Sequence, residues 1–196
     1  MIDLEKLTKN LKANGFEVAH FNTKEEAREY LSSKLNGRTI GFGGSITTEE
    51  MQLIDALKEN NTLLHHWHEG ILSEAAKADV YISSANAIAE TGEIINIDGT
   101  GNRVSSMAFG HEEYYMIIGK NKIAKDYDKA LWRARNIAAP KNAQRLNRNT
   151  PCAKKGDKCY NCNSPERICR CLNVLWKKPG SFKTFEIILV DENLGY

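Results

Sequence analysis

The chain has 196 residues, 41% of them hydrophobic and 27% charged, with a net charge of +2. That balance excludes a disordered polymer, and no apolar run approaches the roughly 20 residues needed to span a bilayer. Met1-Ile2-Asp3-Leu4-Glu5-Lys6-Leu7 reads as an amphipathic helix start without the apolar core of a signal peptide, so a cytoplasmic protein with no membrane insertion is expected.

Leu4, Leu7 and Leu11 keep helical spacing over residues 3–14, and Gly15 ends that helix. Thr23 with Glu26 forms a capping box that opens a second helix over 23–35. Residues 38–42 alternate as a strand, end in Gly43-Gly44-Ser45, and lead into a helix from Thr47 to Leu57, the opening of a βαβ unit. Residues 62–66 read as a second strand, 70–77 as a brief helix, 78–83 as a third strand and 93–97 as a fourth. Gly99-Thr100-Gly101-Asn102 turns into a helix through Val104, Met107 and Ala108. Residues 114–118 are wholly apolar, as in a strand buried on both faces. Asp126 to about Ala138 is helical, and Pro140 ends or restarts that helix. A polar, cysteine-rich loop fills 149–171, and 172–176 with 184–190 read as a β-hairpin around Lys178-Pro179-Gly180. The alternation predicts an α/β fold: a mostly parallel Rossmann-like sheet with helices on both faces, a C-terminal β-hairpin and a cysteine-rich loop, in one domain over 1–196.

Ligands in such sheets sit at the carboxyl ends of strands. Three turns occupy that position. In the first, Gly43, Gly44, Ser45 and Thr47 offer backbone and hydroxyl donors at a helix start, suited to a phosphate or carboxylate, although neither a Walker A nor a full dinucleotide fingerprint is present. The second and third run from Ser83 to Glu90 and from Asp98 to Arg103. Glu90 and Asp98 are the candidate catalytic carboxylates, Asn86 and Asn102 candidate orienting donors, and Arg103 a candidate carboxylate clamp. The competing structural reading gives Asn86 and Asp98 to the satisfaction of turn backbone.

All five cysteines fall within twenty residues, spaced Cys152-x6-Cys159-x2-Cys162-x6-Cys169-x-Cys171. Thiols crowded this way serve a metal, and four suffice for structural zinc or for an iron–sulfur cluster. Cys152, Cys159, Cys162 and Cys169 are the candidate ligands, with disulfides or free thiols as the alternative. His65-His66-Trp67-His68 reads as a strand end, because neighbouring side chains alternate faces.

The charge is unevenly spread. Residues 1–119 carry 10 Lys/Arg against 18 Asp/Glu, whereas 120–183 carry 17 against 4. The basic segment suits nucleic acid, an anionic metabolite, or pairing with the acidic half or a second subunit. No aromatic interleaving accompanies it, so nucleic acid is not the expected partner. Pairing is, with Arg133 and Arg135 less exposed than Lys154 and Lys155, because a guanidinium suits buried pairing.

Gly41–Leu57, Ala78–Tyr81, Ser84–Glu90 and Gly92–Val104 together resemble the LUD (lactate utilization) family. So do Gly119–Ile123, Asn136–Ala143, Thr150-Pro151-Cys152, Cys159–Cys169 and Leu194-Gly195-Tyr196. The resemblance implies a fold like that of ribose-5-phosphate isomerase, glucosamine-6-phosphate deaminase and the CoA transferases, and a link to lactate or related organic-acid metabolism. The expected function is a metabolic protein that binds a small anionic, carboxylate or phosphorylated, metabolite, with isomerase- or transferase-like catalysis left open. Two alternatives stand beside it. One is an accessory iron–sulfur redox subunit working with a partner protein in organic-acid oxidation. The other is a zinc-stabilised nucleic-acid or protein binder. A homo-oligomer fits any of them.

Overall fold

The computed structural model describes residues 2–65 and 72–196. His66, Trp67 and His68 of the histidine run, and the first two residues of the expected helix over 70–77, lie outside them.

Among the described residues, ten strands form two sheets: β1 Glu17–Phe21, β2 Thr39–Phe42, β3 Thr62–His65, β4 Val80–Ser84, β5 Ala87–Ala89, β6 Ile94–Asp98, β7 Glu113–Gly119, β8 Ile123–Ala124, β9 Cys171–Leu175 and β10 Thr184–Val190. The main sheet runs β1-β10-β7-β4-β2-β3 and is parallel throughout. The second, β8-β5-β6-β9, is mixed.

Period-2 alternation in the central strands feeds two cores. Tyr114, Met116 and Ile118 of β7 pack with Leu7 and Leu11 of the helix Leu4–Ala13 on one face. Tyr115 and Ile117 pack with Ala27 and Leu31 of the helix Lys24–Lys34 on the other. Both helices start as their caps dictate. Asp3 accepts from Lys6 N–H at 2.9 Å, and Thr23 with Glu26 forms the reciprocal capping box. The second sheet lies on the helix Tyr127–Arg133 and its continuation, where Ala87, Ala89, Ala130 and Ala134 permit close approach. That continuation is a π-helical turn, Ala134–Ala138, followed without a break by the helix Ala139–Arg145, so the wider turn stands directly before Pro140, which cannot donate an N–H.

Two expectations need correction. The C-terminal hairpin does not form: β9 pairs antiparallel with β6, while β10 inserts in parallel between β1 and β7. The reason is burial. Phe185 through Val190 are buried on both faces, which only a sheet covered by helices on each side can provide. The helix expected from Thr47 to Leu57 breaks at Gln52, whose φ of 52° divides it into Ile46–Glu50 and Leu53–Leu57. The strand expected at 93–97 forms as β6, in the second sheet. β1, a half-exposed edge strand, carried too few alternating apolar residues to be read from sequence.

Candidate anion-binding cleft

β2, β4 and β6 each end beside one cleft. Gly43 N–H continues the pairing by donating to Ile82 O at 3.1 Å, which fixes the glycine turn against β4. A Cβ on Gly43 would lie 2.7 Å from Arg103 Cγ, so the glycine is what lets the Arg103 side chain lie across the turn. Arg103 then donates through Nη1 to Asn96 Oδ1 at 3.1 Å and through Nη2 to Ile97 O at 2.7 Å.

Asp98 organises the next turn. Its carboxylate accepts from the N–H groups of Thr100 at 3.1 Å, Arg103 at 2.9 Å and Val104 at 3.3 Å, holding the first turn of the helix Asn102–Ser106. Burial pushes its carboxyl up, but Arg103 and the N–H groups of Gly101, Thr100 and Val104 outweigh that and hold it below the ordinary carboxylate range. Asn86 Oδ1 accepts from Ile97 N–H at 2.6 Å, so it ties β6 to the end of β4.

These groups enclose a cleft of about 600 Å³ lined by Gly44, Asn86, Asp98, Gly99, Thr100, Asn102 and Arg103 from the strand ends. Asn142, Arg145 and Arg148 from the helix Ala139–Arg145 and the turn after it, and Glu166, Arg167 and Arg170 from the cysteine loop, complete the wall. Among the described residues, five arginines and two carboxylates thus line the cleft. Four of the five come from the basic segment, so the lopsided charge of the sequence is gathered here by folding. Other cations of that segment pair with the acidic half: Lys125 with Glu90 at 2.9 Å, Lys183 with Glu112 at 2.9 Å and Lys178 with Glu17 at 3.9 Å. Arg133 is buried, whereas Arg135 falls with Lys154 and Lys155 among the exposed residues. Two residues along a helix the side chain has turned to the opposite side.

A smaller cavity of about 50 Å³ adjoins the cleft, sharing Gly44, Asn86, Arg103 and Asn142 and adding Ser45, Ser84 and Lys122. Lys122 is buried, and its Nζ donates to Thr47 Oγ1 at 2.7 Å and Ser84 Oγ at 2.8 Å. Burial, reinforced by Arg133 and Arg103, pushes its ammonium down to about 7. Sequence reasoning passed over this lysine, which lies four positions past the apolar run at 114–118, behind the exposed Lys120. Arg145, Arg148, Arg167 and Arg170 were likewise hidden in an undivided basic stretch.

The strand-end candidates therefore separate. Gly44, Ser45, Asn86, Asp98, Asn102 and Arg103 line the two cavities, whereas Gly43 and Thr47 lie beneath them, packed under Arg103 and hydrogen-bonded to Lys122. Glu90 is elsewhere. It is fully buried, accepts from Lys125 Nζ and Asp3 N–H, and anchors the first helix to the second sheet. The Lys125 hydrogen bond holds its carboxyl below the usual range against the cost of burial.

The candidate thiols Cys152, Cys159, Cys162 and Cys169 all line one gap of about 10 Å³ beside the cleft, while Cys171 is exposed on the edge strand β9. Among the described residues no disulfide joins them, and no three His, Cys, Asp or Glu side chains are arranged to hold an ion.

The family model for the LUD domain matches residues 4–190. The chain belongs to the LUD domain family. Membership supports a lactate-utilization-like metabolic role. This LUD domain is similar in fold to a DUF162 family protein from Deinococcus radiodurans, at 14% identity over 95% of each chain with a TM-score of 0.56. More distant, partial likenesses are to ribose 5 phosphate isomerase A from Neisseria gonorrhoeae (18% identity, 52% of this chain and 53% of that one, TM-score 0.37) and to eIF2B beta from Chaetomium thermophilum (11%, 63% and 43%, TM-score 0.34). No curated protein matches this chain. No helix among its described residues is long and apolar enough to cross a membrane.

Proposed function

We propose that this LUD domain binds a small metabolite bearing carboxylate or phosphate charge at the carboxyl edge of its main sheet, in organic-acid metabolism of the lactate-utilization kind. The observation that carries the reading is the convergence of Arg103, Arg145, Arg148, Arg167 and Arg170 on one cleft. A guanidinium presents a planar fork that matches carboxylate and phosphate oxygens two at a time. Gly44 and Ser45 add close backbone approach at a turn. Asp98 and Asn86 are committed to neighbouring backbone, so their part is to hold Arg103 and the strand ends in place.

Lys122 is the group best suited to acid–base work. An amine that titrates near neutral pH gives and takes a proton readily, and this one sits in the cavity next to the arginines. Acid–base chemistry at a carbon beside a carbonyl fits such an amine near an anion clamp.

Calorimetry with lactate, sugar phosphates and CoA thioesters tests the reading. Saturable binding of one of them, lost in Arg148→Gln, is the expected result. Absence of binding by all three classes would overturn it. So would tight binding of duplex or single-stranded nucleic acid that survives about 150 mM salt, where phosphate-only contacts weaken steeply.

A further inference from the structure

The cysteine loop carries a second site. Residues 156–170 contain no helix or strand, yet the loop is held in a defined path from within. Arg167 lies inside it, donating through Nη1 to Cys162 O at 2.8 Å and through Nε to Cys169 O at 2.9 Å. This ties the segment carrying Cys162 to the segment carrying Cys169. Cys159 N–H donates to Asn136 Oδ1 at 3.1 Å, which fixes the other end of the loop to the π-helical turn. Cys152 comes from the capped helix Pro151–Lys155.

Two details concern the sulfurs themselves. Asn161, between Cys159 and Cys162, has a left-handed backbone with φ of 45°, and its N–H donates to Cys159 Sγ at 3.3 Å. The tight turn within Cys-x2-Cys thus aims an N–H two residues on at the first sulfur, and both cysteines line the same gap. The Thr150 hydroxyl lies 3.3 Å from Cys152 Sγ. Hydrogen bonds to sulfur are the outer-sphere support that thiolate ligands receive in metal centres. Arg135 and Arg167 line the same gap as the four thiols and supply positive charge to it.

We propose that Cys152, Cys159, Cys162 and Cys169 bind a thiophilic metal centre, a single zinc ion or a four-iron cluster, with Cys171 outside the ligand set. Four thiolates complete either centre. On binding, the four thiols release their protons to solvent and their side chains turn from the walls of the gap toward the metal. The metal then adds to the cross-links that Arg167 and Asn136 already supply. Cys171 is exposed on β9 and does not line the gap.

The test uses the wild-type chain purified without air. Metal and sulfide analysis is expected to return about one zinc, or about four irons with as much sulfide, per chain, and the visible spectrum separates the two. Alkylation of the native protein followed by peptide mass spectrometry should label Cys171 first, and the other four only after unfolding in chelator. Cys162→Ser should lose most of the metal and Cys171→Ser keep it. Should Cys162→Ser fail to fold, the wild-type alkylation pattern still decides. Metal-free protein, equal labelling of all five thiols, a disulfide among the four, or metal loss in Cys171→Ser would each overturn the proposal.

Discussion

Lys122 Nζ donates to Thr47 Oγ1 at 2.7 Å, joining the end of β7 to the helix that follows the glycine turn across 75 residues of sequence. The lysine is buried and neighboured by arginines, so its protonated form is disfavoured in the fold. The unfolded chain holds that proton up to the ordinary lysine value of 10.5, the folded chain only to about 7. Between those values the unfolded state binds more protons, so this residue's contribution to stability rises with pH. Denaturant unfolding of wild type and Lys122→Met should show the difference moving in favour of wild type from about pH 7 to about pH 10, by at most about 1.4 kcal/mol per pH unit. A difference that does not change with pH would mean that Lys122 is charged in the fold.

Gly43→Ala should weaken anion binding about ten-fold or more. The new methyl would sit 2.7 Å from Arg103 Cγ and 3.1 Å from Ser83 Cβ, so Arg103 must leave Asn96 and Ile97 O. Gly180→Ala is the control, since a Cβ there meets nothing within 4 Å. Calorimetry on both variants checks this, and equal affinity in the two would sink the role given to the turn.

Glu90→Gln should lower the melting temperature and leave anion binding in place, because Glu90 clasps Lys125 and Asp3 N–H and does not line the cleft. Its folded carboxyl titrates below the ordinary 4.5, so its stabilisation is present above that value and lost as pH falls through the folded one. Melting curves should show a gap between the two proteins at neutral pH that closes as the pH falls below the ordinary carboxylate value. Loss of ligand binding with an unchanged melting temperature would instead return Glu90 to the site.

Stripping metal from the cysteine loop should weaken anion binding about ten-fold. Glu166, Arg167 and Ile168, which lie between Cys162 and Cys169, form part of the cleft wall, and Ile168 O would stand 2.7 Å from a Cβ on Gly99. Calorimetry before and after chelation, with metal content measured on the same samples, reads this coupling. Unchanged affinity in fully stripped protein would show that the loop keeps its shape without metal.

Local physics was legible in the chain alone. The capping box at Thr23 and Glu26, the stop at Gly15, the apolar strand through residues 114–118 and the helix restart at Pro140 depend on residues a few positions apart, and each lies where the sequence placed it. So did the clustering of thiols and the glycine turn after β2, both contiguous in sequence. The pairing of β9 and β10 depended instead on which sheet had two covered faces free, and that is fixed only when distant helices dock. The cleft shows the same division. Asp98 and Arg103 are near neighbours and were found together, but Lys122 and the arginines at 145, 148, 167 and 170 reach the same space only through the fold. Sequence set the charge, and tertiary packing decided which of those charges would stay in the open around a cleft and which, such as Lys125 with Glu90, would be spent on structure.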